Sequence, residues 1–103
     1  MSNRFIVLEG DVLAVFNSLH RVMSAEKLLK SLKLPDLLLI PAPRSIQTDC
    51  GLALRFAEDD LGTVLTVLQK EKLLPAFVSQ YRGEGFITVW RAEEQENESS
   101  ARL

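Results

Sequence analysis

Apolar residues recur along this chain at two spacings, and the spacing separates helices from strands. Across residues 18–32 they fall three and four positions apart, which predicts an amphipathic helix. Asn17 or Ser18 supplies the N-cap oxygen, and Pro35 stops the segment. A second helix is predicted over residues 58–72, because three carboxylates occupy its first turn and an apolar stripe follows.

Shorter apolar runs between and after the helices predict strands. Residues 12–16 and 37–40 are continuous apolar runs, which are typical of interior strands. Residues 52–56 alternate, which predicts a strand with one face in water. Residues 76–78 and 85–90 flank a polar turn and predict a hairpin.

The two ends of the chain are less regular. Residues 5–10 form either an extra strand, turning at Gly10 and Asp11, or the first strand itself with the helix beginning near Asp11. We prefer the extra strand, because Asn17 and Ser18 make a better helix start. Residues 93–103 are polar and acidic and predict a disordered tail after a single domain spanning residues 1–92.

The order strand, helix, strand, strand, helix, strand predicts an α+β fold, a ferredoxin-like βαββαβ sandwich. Two helices would cover one face of an antiparallel sheet, extended by the extra N-terminal strand and a C-terminal hairpin strand. The other face would be left for solvent, a partner or a second copy. In this arrangement the first and third strands are antiparallel neighbours, so Phe16 is expected beside Gly51.

Composition excludes several classes of protein. The 103 residues are 47% apolar and 25% charged, which indicates one globular domain with a single core. A net charge of −2 gives no broad affinity for nucleic acid or anionic membranes. There is no apolar run near the roughly 20 residues of a membrane span and no leader pattern, so a cytoplasmic protein is expected. One cysteine and one histidine are too few for a disulfide or a metal site, and no cofactor motif is present.

The candidate chemistry gathers around Cys50, which closes a polar turn just before the third predicted strand. The predicted topology brings Ser18, His20 and Arg44 to the same edge of the sheet. A helix N-terminus and the charge of Arg44 would favour a thiolate, and His20 could share a proton with it. Gly51 would leave the backbone beside the sulfur open to a small ligand.

These residues also have structural explanations, which stay open at this point. Cys50 could be a small half-buried hydrophobe beside a turn, and His20 a solvated helix residue. Arg44 could simply hydrogen-bond loop carbonyls. Lys27 and Lys30 predict a solvated helix face.

Several motifs occur in an order that resembles a known family. They are Ser18-Leu19-His20, Ala25-Glu26-Lys27-Leu28-Leu29-Lys30, Ile40-Pro41-Ala42-Pro43-Arg44 and Cys50-Gly51-Leu52-Ala53-Leu54-Arg55-Phe56. Over about residues 12–74 they are similar to the bacterial domain of unknown function described as Putative Se/S carrier protein-like. That family typically has two serines before Cys-Gly, where this chain has Thr48 and Asp49. A carboxylate next to a thiol disfavours the thiolate.

The resemblance implies that Cys50 carries a persulfide or selenide between a donor and an acceptor enzyme. His20 and Arg44 would stabilise the anionic adduct, with Ser18, Gly51 and Arg55 as ligand-binding residues. Such a protein is a carrier or accessory protein rather than a turnover enzyme. Its partners would be the donor and acceptor proteins, and a homodimer stays an alternative. We expect no nucleic-acid partner, no membrane association and no cofactor.

Two other functions compete with the carrier. The first is a non-covalent binding or oligomerisation module that uses the open sheet face and the edge from Phe86 to Trp90. The second is a redox sensor in which Cys50 pairs with a thiol of another molecule. It ranks last, because the chain has no second cysteine to resolve the oxidised form.

Overall fold

A computed structural model of the protein describes residues 7–92. Its elements follow the predicted order. They are β1 (Val12–Val15), α1 (Leu19–Lys30), β2 (Leu38–Pro41), β3 (Leu52–Phe56), a 3₁₀ turn (Glu58–Asp60), α2 (Leu61–Lys70), β4 (Phe77–Tyr81) and β5 (Phe86–Arg91). Within residues 7–92, neither helix has the length and apolar character needed to cross a bilayer.

The segment before β1 is a turn over the part that is described. Residues 7–10 contain no strand, and the backbone N–H of Asp11 donates to the carbonyl of Leu8 at 2.9 Å. The carboxylate of Asp11 accepts from the N–H of Leu8 at 3.0 Å and holds the turn from the other side. The predicted extra strand is therefore absent over residues 7–10. Residues 5–6 and the predicted tail, residues 93–103, lie outside the described part of the chain.

Both helices begin close to where the sequence places them. Ser18 is the N-cap of α1, and its hydroxyl oxygen accepts from the backbone N–H of Arg21 at 3.2 Å. The helix ends at Lys30, and Lys33 then has a left-handed backbone conformation with φ of 56°. The predicted second helix is divided, because its three carboxylates form the 3₁₀ turn and α2 itself begins at Leu61.

The five strands form one antiparallel sheet in the order β2-β3-β1-β4-β5. The central strand β1 pairs with β3 on one side and β4 on the other, and Val15 lies opposite Ala53. This α+β arrangement is compatible with a ferredoxin-like fold. The predicted hairpin is present, and Gly83 takes the positive φ of 83° that its turn requires.

Apolar side chains pack on both faces of the sheet. The helix-side core joins the two helices to one face of the sheet through Val12, Ala14, Phe16, Val22, Ala25, Leu29, Leu54, Phe56, Val64, Leu68 and Val78. On the opposite face, Leu13, Val15, Ile40 and Ala53 pack against Ile46 from the β2–β3 connection.

The prediction of an open second face is therefore wrong at the centre of the sheet. Leu13 and Ala53 are both 0% exposed, and Ile46 above them is 7% exposed. The prediction that one face of β3 is exposed to water is wrong at Ala53 for the same reason. The physical cause is that β1 is apolar on both sides, so both sides must be removed from water.

Candidate functional site

The β2–β3 connection, residues 42–51, carries Cys50 and is fixed at three points. At its ends, the backbone N–H of Ala42 donates to the carbonyl of Gly51 at 2.9 Å. In its first half, the N–H of Ile46 donates to the carbonyl of Pro43 at 2.9 Å and closes a turn. The buried side chain of Ile46 then anchors that turn to the sheet. Cys50 therefore lies on a loop whose position is set by packing and hydrogen bonds.

Thr48 ties the second half of this loop to the end of β1. Its hydroxyl oxygen accepts from the backbone N–H of Cys50 at 3.3 Å, the geometry of a side-chain turn two residues long. The same hydroxyl donates to the carbonyl of Phe16 at 3.4 Å. A single side chain thus fixes both the backbone of Cys50 and its distance from β1.

The Cys50 sulfur is half-buried and surrounded by oxygen atoms. It lies 3.4 Å from the carbonyl of Leu52, 3.8 Å from the carbonyl of Phe16 and 3.6 Å from the hydroxyl of Thr48. Its side chain packs against the edge of the helix-side core. Each of the two carbonyl oxygens can accept a hydrogen bond from the thiol. The sulfur is therefore surrounded by hydrogen-bonding partners from β1, the loop and β3.

Open space lies over the backbone of Gly51, the residue that follows Cys50. Gly51 is exposed and has φ of 77°, and a Cβ placed there would meet no atom within 4 Å. A shallow groove of about 230 Å³ also opens at this edge, between Asn17, Phe77 and the pair Thr48-Asp49. Cys50 is not among the residues that line it. The backbone next to Cys50 is therefore uncovered at Gly51.

His20 and Arg44 are both exposed at the surface. Within residues 7–92 neither forms a hydrogen bond with Cys50. His20 lies on the outer surface of α1, in a groove that it shares with Met23 and Lys27. Their predicted roles beside the sulfur stay predictions.

Ser18 and Arg55 already have structural partners. Ser18 caps α1, two residues after the carbonyl of Phe16 that faces the sulfur. The guanidinium of Arg55 donates from Nε and Nη2 to the carbonyl of Asp36, at 3.3 and 3.0 Å. That contact fixes the entry to β2. Binding of a ligand by either residue stays a prediction.

Sequence reasoning missed the contribution of Thr48, although a signal for it was present. A threonine two residues before a cysteine, inside a polar turn, is a residue type that bonds the backbone N–H two positions on. What the pattern could not reveal is the second bond, to Phe16, because those residues meet only when β1 and β3 pair. No group of three or more His, Cys, Asp or Glu suited to a metal occurs among residues 7–92.

Replacing Thr48 with valine is expected to increase the reactivity of Cys50 towards iodoacetamide. Valine keeps the shape but removes the hydroxyl, so the turn loses its bonds to Cys50 N–H and the Phe16 carbonyl. The lost bonds cost about 1 kcal/mol and release the sulfur from its carbonyl neighbours. Alkylation is followed by mass spectrometry at fixed pH, with Thr48→Ser as the control that keeps the hydroxyl. Equal rates for the valine variant and the parent would show that Thr48 does not restrain the sulfur.

The fold and site define an α+β domain with one half-buried thiol on an anchored loop at the sheet edge. The model of the family described as Putative Se/S carrier protein-like matches residues 11–79, well over half of the chain. The chain therefore belongs to this family, and the resemblance found in its motifs is confirmed. The match runs from just before β1 into β4 and includes Cys50. No curated protein and no solved structure matches the chain.

Proposed function

We propose that this protein is a sulfur or selenium carrier that holds a persulfide or its selenium analogue on Cys50 and transfers it between partner enzymes. The observation that carries the proposal is the position of the chain's only cysteine. It lies inside the region matched by the Se/S carrier-like family, half-buried on an anchored loop and beside the open backbone of Gly51.

The loading step needs no oxidant. The sulfur of Cys50, as thiolate, attacks the terminal sulfur of a persulfide on the donor enzyme. The new bond joins Cys50 Sγ to that terminal sulfur, and the bond between the two donor sulfurs breaks. The electron pair of the broken bond leaves on the donor cysteine as a thiolate. A terminal selenium atom is transferred by the same displacement, and unloading repeats the step on an acceptor thiol.

The surroundings of the sulfur are expected to differ between the resting protein and the protein that carries the added atom. In the resting state, the carbonyls of Phe16 and Leu52 accept from the thiol. In the loaded state the added atom lies about 2 Å beyond Sγ, and we expect it to project away from these oxygens. Arg44 and His20 would have to turn towards the added atom to balance its negative charge beside the N-terminal end of α1 at Ser18. Arg55 would stay bound to the carbonyl of Asp36 at the entry to β2.

We expect wild-type protein to gain the mass of one sulfur atom when incubated with a cysteine desulfurase and cysteine. Because the chain has one cysteine, the mass of the whole protein reports on Cys50 alone. The gain should disappear on treatment with dithiothreitol, since a persulfide is reducible. Parallel incubation with selenocysteine tests the selenium form. Unmodified protein, under conditions that load an established sulfur carrier, would overturn the proposal.

The competing binding module has less surface than the sequence indicates. The centre of the second sheet face is covered by Ile46. The large apolar side chains that the strands leave exposed lie on the two edge strands, Leu38 on β2 and Ile87 and Val89 on β5. We propose the carrier first, because the family description concerns a sulfur or selenium cargo and the module does not need Cys50. A carrier of this kind would work in the cytoplasm, where thiols stay reduced.

A further inference from the structure

The exposed side of α1 combines apolar and basic residues along one stripe. Leu19 and Met23, one helical turn apart, are 53% and 44% exposed. His20, Lys27 and Lys30 continue the same side of the helix. We call this surface the α1 stripe: Leu19, His20, Met23, Ser24, Lys27 and Lys30. Together with Glu26, its outer part lines an open groove of about 360 Å³.

The charge of α1 is opposite to that of the whole protein. The chain has a net charge of −2, whereas α1 contains Arg21, Lys27 and Lys30 against the single acid Glu26. Arg21 is used inside the fold, donating to the carbonyls of Lys72 and Leu74. Lys27 and Lys30 remain at the surface, with Lys30 3.4 Å from Glu26. One acid of the other helical segment, Glu71 at the C-cap of α2, borders the stripe in a groove that it shares with Ser24 and Lys27.

The α1 stripe begins at the end of the helix that is next to Cys50. Leu19 is the first residue of α1 and follows Phe16 by three positions, and the carbonyl of Phe16 lies 3.8 Å from the Cys50 sulfur. Cys50 and α1 also pack against the same core, and α1 lies over β3. The helix extends about 18 Å from this point. One protein surface of ordinary interface size could therefore cover the sulfur and the stripe together.

We infer that the α1 stripe is the docking surface for the sulfur-donating protein, and that the surface it binds is acidic around an apolar centre. The inference rests on the proposed carrier function, because it requires a donor that delivers its cargo to Cys50. Leu19 and Met23 supply the apolar centre, and Lys27 and Lys30 supply a basic rim. Rim charges act mainly on the association rate, so docking accelerates loading most at low salt.

Loading rates from two different sulfur donors distinguish the docking step from the chemical transfer step. A cysteine desulfurase bearing its own persulfide must dock, whereas cysteine persulfide reaches Cys50 by diffusion alone. We expect Lys27→Glu to slow loading from the desulfurase about tenfold at low salt, with the difference shrinking at high salt. Met23→Ser should slow the same step at both salt concentrations, because it removes apolar contact. Loading from cysteine persulfide should be unchanged in both variants.

Lys70→Glu is the matched control, because Lys70 is exposed in the last turn of α2 and has no place in the stripe. It should load from both donors like the parent, and thermal melts should show all three variants folded. Equal desulfurase rates for the parent, Lys27→Glu and Met23→Ser would overturn the docking surface and leave the carrier function standing. No loading from either donor would overturn both. A parent dimer in sedimentation that Met23→Ser dissociates would overturn docking by assigning the stripe to a second copy.

Discussion

Replacing Cys50 with serine is expected to abolish sulfur loading and leave the fold intact. A hydroxyl without an adjacent base is a poor nucleophile, and no hydrogen bond joins His20 to position 50 among residues 7–92. The serine hydroxyl can donate to the carbonyls of Leu52 and Phe16 that the thiol now uses. Loading is measured by whole-protein mass after incubation with a desulfurase, and folding by thermal melting.

The control for this variant is Ser45→Ala, an exposed position on the same loop. It should load like the parent, because the loop is held by Ile46 and Thr48 rather than by Ser45. A serine variant that still gained sulfur would contradict the assignment of the cargo to Cys50. A serine variant that lost its cooperative melting transition would contradict the structural half of the prediction.

Replacing Phe16 with alanine is expected to remove a large part of the stability of the protein. Phe16 is 1% exposed, packs in the helix-side core and directly follows the central strand β1. Truncating a buried phenylalanine costs about 3–5 kcal/mol, against the 5–15 kcal/mol that keep a typical domain folded. Urea unfolding followed by the fluorescence of Trp90, the only tryptophan, measures the loss. The variant should unfold at much lower urea, and the loop should lose the carbonyl position that now faces Cys50.

Ile87→Ala provides the comparison, since Ile87 is 49% exposed on β5. Its free energy of unfolding should change by less than about 1 kcal/mol. Phe16→Leu keeps most of the apolar volume and should recover much of the stability. An alanine variant with the urea midpoint of the parent would show that the end of β1 does not depend on this side chain.

Much of the local structure was predictable because it depends on neighbours in sequence. The spacing of apolar residues predicted both helices, Ser18 was one of two predicted caps, and the alternating run at residues 52–56 is β3 in full. The hairpin was predicted from two apolar runs that flank a polar turn. The extra strand was not found over residues 7–10, since a Leu8–Asp11 turn takes the backbone bonds that a strand would need.

The second sheet face was predicted wrongly because two signals in the sequence conflict. The continuous apolar run at residues 12–16 indicates a strand buried on both sides, whereas two helices on one side suggest a bare opposite face. The structure satisfies the first signal by folding Ile46 over Leu13 and Ala53. Ile46 is flanked by polar residues of the loop, so no repeating apolar pattern in the sequence predicted its burial.

By itself, the sequence determined the elements, the antiparallel α+β class, the family and the single cysteine on which the proposed chemistry depends. These follow from residue type and short-range spacing. The tertiary structure alone decided what surrounds the sulfur. It brought the carbonyl of Phe16 and the hydroxyl of Thr48 to Cys50 and left His20 on the outer side of α1. The reason is physical: these contacts depend on how β1 and β3 pair and on which side of α1 is buried, and both are settled by packing of the whole core.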